Sequence, residues 1–256
     1  MGLFDKKFCD VCGEKIGFLG NRKLEDGNLC KHCAKKLSPW FSERRSSTVE
    51  AIKEQLAYRE ENRLAVADFN VTRTLGGSYK KLLLDEDHGK FLVAASRDLA
   101  EENPDVLDFS QVTGCRIDVD ETRRELKWKN KEGKDISYSP PRYEYCYDFS
   151  AIINVNHPYF DEMELRLNDS QIVINQSSST NGLFIRQVDP RKSVDYLEYE
   201  SMGQEIVNAL TQVREAVREE AAAANAPKKK MVCPYCGAPT LPDKGGHCEY
   251  CGSPIA

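Results

Sequence analysis

Two rhythms of apolar residues run along this chain. Between about 69 and 199 the period is two. Tyr143, Tyr145, Tyr147 and Phe149 alternate with Glu144, Cys146 and Asp148, and Met163, Leu165 and Leu167 alternate with Glu164, Arg166 and Asn168. Such alternation predicts strands with one apolar face. Asp87-His88-Gly89 between Lys81–Leu84 and Lys90–Ala94 predicts a hairpin, as does Asn130–Gly133 between Leu126–Lys129 and Lys134–Tyr138. Further strands are expected at Val106–Phe109, Val112–Val119, Ile152–Val155 and Gln171–Ile174, with a turn at Asn156-His157-Pro158 and a mobile Ser-rich loop over Asn175–Gly182.

Two segments carry the helical rhythm. Met202, Ile206, Leu210, Val213 and Val217 place one apolar face on a helix that ends the strand-rich region. Val49, Ile52 and Leu56 do the same over about 48–66, behind a capping box formed by Ser47 and Glu50. Arg59 falls where the next apolar residue was due, so that stripe weakens, and Leu64 is expected to resume contact with the body. The fold class is therefore α+β. Antiparallel hairpins followed by one amphipathic helix suggest a small barrel with the helix plugging its open end. That order resembles the pleckstrin-homology-like superfold, and Asp108–Ile117 is similar to a strand entry of its bacterial versions. A fold of that kind does not by itself assign a function.

Cysteine spacing changes the picture at both ends. Eight of the 10 cysteines form Cys-x-x-Cys pairs: Cys9/Cys12 and Cys30/Cys33 near the start, Cys233/Cys236 and Cys248/Cys251 near the end. Each end offers four thiolates, the complement of a tetrahedral structural Zn²⁺ site at Zn–S distances of about 2.3 Å. Gly13, Gly237 and Gly252 follow second cysteines, where tight knuckles turn backbone N–H groups toward sulfur. In the first module Ile16–Gly20 and Arg22–Leu24 read as a short hairpin, Asp26-Gly27 as a turn and 31–37 as a helix, the pattern of a treble clef or zinc ribbon. Trp40 and Phe41 are expected to pack this module on the next domain of the chain. His32 and His247 lie beside cysteines and compete as ligands with their reading as bystanders. Modules this small need the metal for folding. The expectation is two structural Zn²⁺ ions per chain, with iron as the alternative occupant.

This organisation divides the chain into an N-terminal module over 1–46, a bridging helix over 47–68, a central antiparallel domain with its helix over 69–224, a linker over 225–231 and a zinc ribbon over 232–256. Charge is uneven: 1–46 holds 10 Lys/Arg against 6 Asp/Glu, whereas the whole chain carries −5. Four thiolates around one dication carry −2, so the modules are only weakly basic once metallated, a poor footprint for nucleic acid. Lys228–Lys230 form a basic run in the linker. Lys127, Lys129, Lys131 and Lys134 surround Trp128 in a basic-aromatic patch that reads as a solvated hairpin or as a contact for phosphate, lipid headgroups or an acidic protein. No membrane span or secretion signal is recognised, and reduced thiols point to a cytoplasmic location.

No catalytic constellation emerges. His88 and His157 sit in turns, Asp85/Asp87 and Glu101/Glu102 read as solvated acidic pairs, and Cys115 and Cys146 read as strand-packing residues. Cys9–Leu37, with Cys-x-x-Cys-Gly, Ile16-Gly17, Leu24-x-Asp26-Gly27 and the second Cys-x-x-Cys, resembles an uncharacterised bacterial N-terminal zinc-module family that carries a domain-of-unknown-function label. The last segment resembles generic double-Cys zinc ribbons. The resemblance implies metal binding and no established activity. The expected function is a non-enzymatic, zinc-binding adaptor that holds a protein or peptide partner; a nucleic-acid-binding ribbon protein and a membrane-surface binder acting through the barrel are the alternatives, with a membrane partner the least expected.

Overall fold

The computed structural model describes residues 7–178, 185–225, 231–241, 243 and 245–255. They divide into two compact units, Met1–Glu215 and Ala216–Ala256. The first begins with two small hairpins. Strands β1 (Lys7–Phe8) and β2 (Lys15–Ile16) pair around the first knuckle, and β3 (Arg22–Lys23) pairs with β4 (Asn28–Leu29) around Asp26-Gly27. The expected pairing of Ile16–Gly20 with Arg22–Leu24 does not form. Gly20 N–H instead donates to the Gly17 carbonyl at 2.9 Å, closing a turn too tight for strands. Helix α1 (Lys31–Lys35) then carries Cys33 inward.

Helix α2 (Val49–Ala67) is capped by Thr48, whose side chain accepts from Ala51 N–H, so the cap lies one residue beyond Ser47. Its buried stripe is Ile52, Gln55, Arg59, Asn62 and Val66. The spacing is helical but the middle of the stripe is polar, so the apolar pattern faded at Arg59 although burial did not. Leu64 is 75% exposed and makes no such contact. Arg59 Nη1 donates to Asp105 Oδ1 at 2.7 Å, its Nε donates to the Lys36 carbonyl at 3.2 Å, and its Nη2 donates to the Asn103 carbonyl. Asp105 also accepts from Ser38 Oγ at 2.7 Å and Tyr58 Oη at 3.1 Å. Asn62 Nδ2 donates to Asn103 Oδ1 and the Pro104 carbonyl, while its Oδ1 accepts Val106 N–H. One buried carboxylate thus ties the cysteine module, through Ser38, to α2 and to the 103–106 segment. In a water-free setting each of these groups needs its partners, which fixes the mutual placement of three segments.

The central strands form two four-stranded antiparallel sheets. The first contains β5 (Arg73–Leu75), β6 (Lys81–Asp85), β7 (Lys90–Ala94) and, after the short α3 (Leu99–Glu102), β8 (Leu107–Asp108), in that order. The hairpin at Asp87–Gly89 is present, and Gly89 has φ +66°. Asp85 is not a solvated acid. It is fully buried and accepts from Asn70 N–H, His88 N–H and His88 Nδ1. Burial by itself would raise its pKa, but these donors hold it below the ordinary carboxylate value.

The second sheet is built on one long ribbon. Strands β9 (Val112–Lys129) and β10 (Asp135–Val155) pair along nearly their whole length, so the two segments expected as separate strand pairs are continuous. Strands β11 (Glu162–Arg166) and β12 (Ile172–Asn175) add to the other edge of β10, opposite Ser150–Asn154 and Glu144–Tyr147 respectively. Eighteen residues of β9 make the ribbon about 60 Å long, at about 3.3 Å each. A small pair, β13 (Ser177–Ser178) with β14 (Ile185–Arg186), follows; of the expected Ser-rich loop, Asn175 ends β12, Gln176 N–H donates to the Tyr143 carbonyl, and 179–182 lie outside the described residues.

Helix α4 (Val194–Asn225) meets the inner half of this ribbon at Tyr196 and Gly203, and its Ile206 and Leu210 are buried. Tyr196 meets Phe149 edge-on at 4.8 Å. A Cβ on Gly203 would stand 2.9 Å from Ile117, so glycine is needed for helix and strand to approach. In the second unit β15 (Met231–Val232) pairs with β16 (Pro239–Thr240) around a knuckle. Among the described residues no helix is long and apolar enough to cross a membrane.

The buried ion pair yields a direct test. Arg59→Met strands the Asp105 carboxylate, and urea denaturation should show the first unit destabilised by about 3–5 kcal/mol. The double variant Arg59→Met/Asp105→Leu removes both charges and should recover part of that loss. Equal losses in the two variants would show that the pair does not hold the segments together.

Candidate metal centres

The knuckles owe their shape to backbone hydrogen bonding and glycine. Gly13 N–H donates to Cys9 O, Gly237 N–H to Cys233 O and Gly252 N–H to Cys248 O, each at 2.8–2.9 Å. All three glycines have φ of +70° to +74°, the left-handed region that a Cβ disfavours. The Cys30/Cys33 pair is built differently. Cys30 caps α1, and its sulfur accepts Cys33 N–H at 3.3 Å. The N-terminal group thus joins one knuckle to one helix start, whereas the C-terminal group joins two knuckles.

All eight sequence-predicted ligands come together in two groups of four. Cys9, Cys12, Cys30 and Cys33 have sulfurs within 4.8 Å of one another, as do Cys233, Cys236, Cys248 and Cys251. The sulfurs of Cys12 and Cys30 stand 3.8 Å apart, those of Cys233 and Cys251 3.6 Å, and those of Cys236 and Cys248 3.7 Å. Sulfurs about 2.3 Å from a tetrahedral centre lie about 3.8 Å apart, so the spacing fits a four-thiolate metal shell. A disulfide needs about 2.05 Å. Such a shell leaves no coordination position for water or substrate, and an ion held there would supply folding energy rather than Lewis-acid chemistry.

The thiols are unevenly poised for ionisation. Burial opposes ionisation of Cys9, yet N–H groups of Cys12, Cys30 and Val11 bring its pKa down to about 7. Hydrogen bonds from Ser253 lower Cys251 to about 6. Burial pushes Cys33 up, helped by Cys30 and Cys12. Cys236 is favoured as a thiolate by the Ala238 N–H but is pushed up to about 12 by burial and by Cys233, Cys251 and Cys248. Four neighbouring sulfurs cannot all carry charge unless a cation sits among them.

Residues 7–55 match the family model described as "Domain of unknown function (DUF4428)". The matched segment spans the first four-cysteine group and ends within α2, before Arg59. No curated protein matches the chain. No solved structure matches it.

The other sequence candidates are placed away from the sulfurs. His32 is exposed, and His247 Nδ1 lies 3.6 Å from Asp243; neither belongs to a four-sulfur group. His157 is in an aromatic cluster with Tyr58, Tyr159 and Phe160, where burial lowers its pKa. Cys146 is fully buried, and burial raises Cys115 to about 11, as expected for unreactive thiols. Trp128 pairs across the ribbon with Ile136, and both are well exposed. Lys228–Lys230 lie outside the described residues. A cavity of about 460 Å³ is lined by Ser78, Tyr79, Arg166, Asn168 and Asp169; Ser78 Oγ donates to the Asp169 carboxylate, and Arg166 is ion-paired with Asp148.

Two outcomes are expected. Cys236→Ser should lower the metal content from two ions to one in native mass spectrometry, with the first unit still folded by circular dichroism. Acid should release both ions, because every ligand must be deprotonated to bind. The thiolate contribution of Cys9 and Cys251 is complete above the ordinary thiol value of 9.0 and is lost as pH falls through about 7 and about 6. A bound ion competes with protons for these sulfurs, so metal release monitored with a chromophoric chelator should set in only below those values and increase as pH falls further.

Proposed function

We propose that this chain is a non-enzymatic, zinc-stapled adaptor of a reducing cytoplasm that binds a protein or peptide by strand addition. Two Zn²⁺ ions, one per four-sulfur group, hold the end modules as a treble clef and a ribbon. Closed four-sulfur shells support a structural role for both. The pleckstrin-homology-like reading of the middle belongs to the same proposal, supported by two four-stranded sheets followed by a helix.

The observation that carries the adaptor reading is the outer edge of β9. Among the described residues no strand pairs with it along its 18 residues, whereas β10 is paired on both sides over its inner half. A row of backbone donors and acceptors with no strand partner is a template for an extended peptide; near its start the Thr113 carbonyl is already taken by Arg214 Nη1 at 2.6 Å. The outer half of the ribbon is exposed, and residues 123–143 carry seven Lys/Arg against three Asp/Glu. Charged edges discourage pairing between identical copies and favour a strand of complementary charge.

The test is affinity capture from nuclease-treated lysate. The full chain should retain a discrete protein partner, and a variant with residues 125–143 replaced by a two-residue turn, which closes the ribbon in register at the Arg124–Glu144 pair, should lose it. No partner after nuclease treatment, or equal capture by the shortened ribbon, would overturn this reading.

A further inference from the structure

The N-terminal cysteine module carries a feature that strand addition does not use. Its Gly17–Gly20 turn presents Phe18 and Leu19 outward, 93% and 83% exposed. Leu19 has φ +64°, in the left-handed region that a branched apolar residue seldom occupies. Two large apolar side chains are therefore held in water at a convex tip, by a backbone conformation that disfavours one of them. Packing within the fold does not account for them.

Beside this tip is a cavity of about 320 Å³. Arg22, Lys31, Lys35 and Arg44 line it, above the apolar Leu37 and Phe41, and no carboxylate is among the lining residues. Arg22 belongs to both features. It lines the cavity, and its Nη1 donates to the Leu19 carbonyl at 3.3 Å. Arg22 and Arg44 are partly buried, and Arg44 Nη1 is held by the Lys23 carbonyl at 2.9 Å. Burial and the neighbouring Arg22 and Arg45 lower the Arg44 pKa.

We propose that this module docks on an anionic lipid surface, with Phe18 and Leu19 entering the acyl boundary and the Arg22, Lys31, Lys35 and Arg44 cavity receiving a headgroup phosphate. A convex apolar tip has no groove to fill on itself and suits a deformable apolar layer. Adjacent cations complement the negative potential of that layer and hold phosphate through charge-assisted hydrogen bonds. The site is remote in sequence from the Trp128 patch, so the two are separable by mutation. Lipid docking goes beyond the adaptor reading and uses from it only the metal-stapled module.

Sedimentation of the metal-loaded full chain with vesicles decides it. The chain should pellet with phosphatidylserine/phosphatidylcholine vesicles and stay in solution with pure phosphatidylcholine. Phe18→Ser/Leu19→Ser and Lys31→Glu/Lys35→Glu should each weaken partitioning by about tenfold or more, and Trp128→Ala should not. Native mass spectrometry of each variant should still count two ions, which separates loss of docking from loss of the metal fold. In addition, Phe18→Trp should gain a blue-shifted emission component on adding the anionic vesicles. Absence of binding to anionic vesicles overturns the proposal, as does binding that ignores either pair of substitutions. Sensitivity to the lysine pair alone would indicate a soluble polyanion such as nucleic acid. Loss of metal in the lysine pair would assign those cations to the thiolates; either result also overturns it. Unshifted emission from the Phe18→Trp variant does so independently of the fold of the paired variants.

Discussion

Four sulfurs held less than 5 Å apart at each end of the chain are the constraint on which the end modules depend. Thiolates at that spacing repel, and neutral thiols at that spacing give little in return. A dication turns the same crowding into the source of order. The N-terminal module shows how little else is available. Its buried cluster consists of three of its four cysteines, with Ile16, Leu24, Leu29 and Leu37, and it takes Ile52 from α2. A core of that size does not fold a chain unaided. The placement of the four sulfurs therefore sets where α1 starts, through the Cys30 cap, and where Ser38 is delivered.

From Ser38 onward the ordering is electrostatic. Asp105 receives a hydroxyl from the cysteine module, a guanidinium and a phenol from α2, and lies in the segment leading into β8. Such a hub contributes less to net stability than an apolar core of equal volume, because two charges must leave water. What it contributes is register, since its donors come from segments far apart in the chain. The C-terminal module has its own unit and folds around its own sulfurs. The two cysteine groups share their chemistry but differ in use: one is built into a larger scaffold, the other is a separate unit.

Much of this was legible in the sequence where chemistry is local. Cys-x-x-Cys-Gly encodes both the ligands and the turn, and the three knuckle glycines take the left-handed φ that the turn requires. Period-two alternation found β10 and β11, and the Asp-His-Gly and Asn-Lys-Glu-Gly turns located two hairpins. The rest depended on distance along the chain. Arg59 read as a break in an apolar stripe because its partner, Asp105, lies 46 positions away. Asp85 read as solvated because the donors that bury it come from Asn70 as well as from the neighbouring His88. The ribbon read as two separate strand pairs because its outer half has polar residues on both faces and gives no alternation to follow. Phe18 and Leu19 read as strand residues because a loop that exposes apolar side chains looks, in sequence, like a strand that buries them.

Hydrogen exchange on the full chain, with its metal and after removal by a strong chelator, tests the dependence on sulfur-held ions most directly. Removal should abolish protection over about 7–37 and 231–255, while amides of β6, β7 and the inner half of β10 keep theirs. Unchanged protection at both cysteine modules in metal-free protein would contradict it.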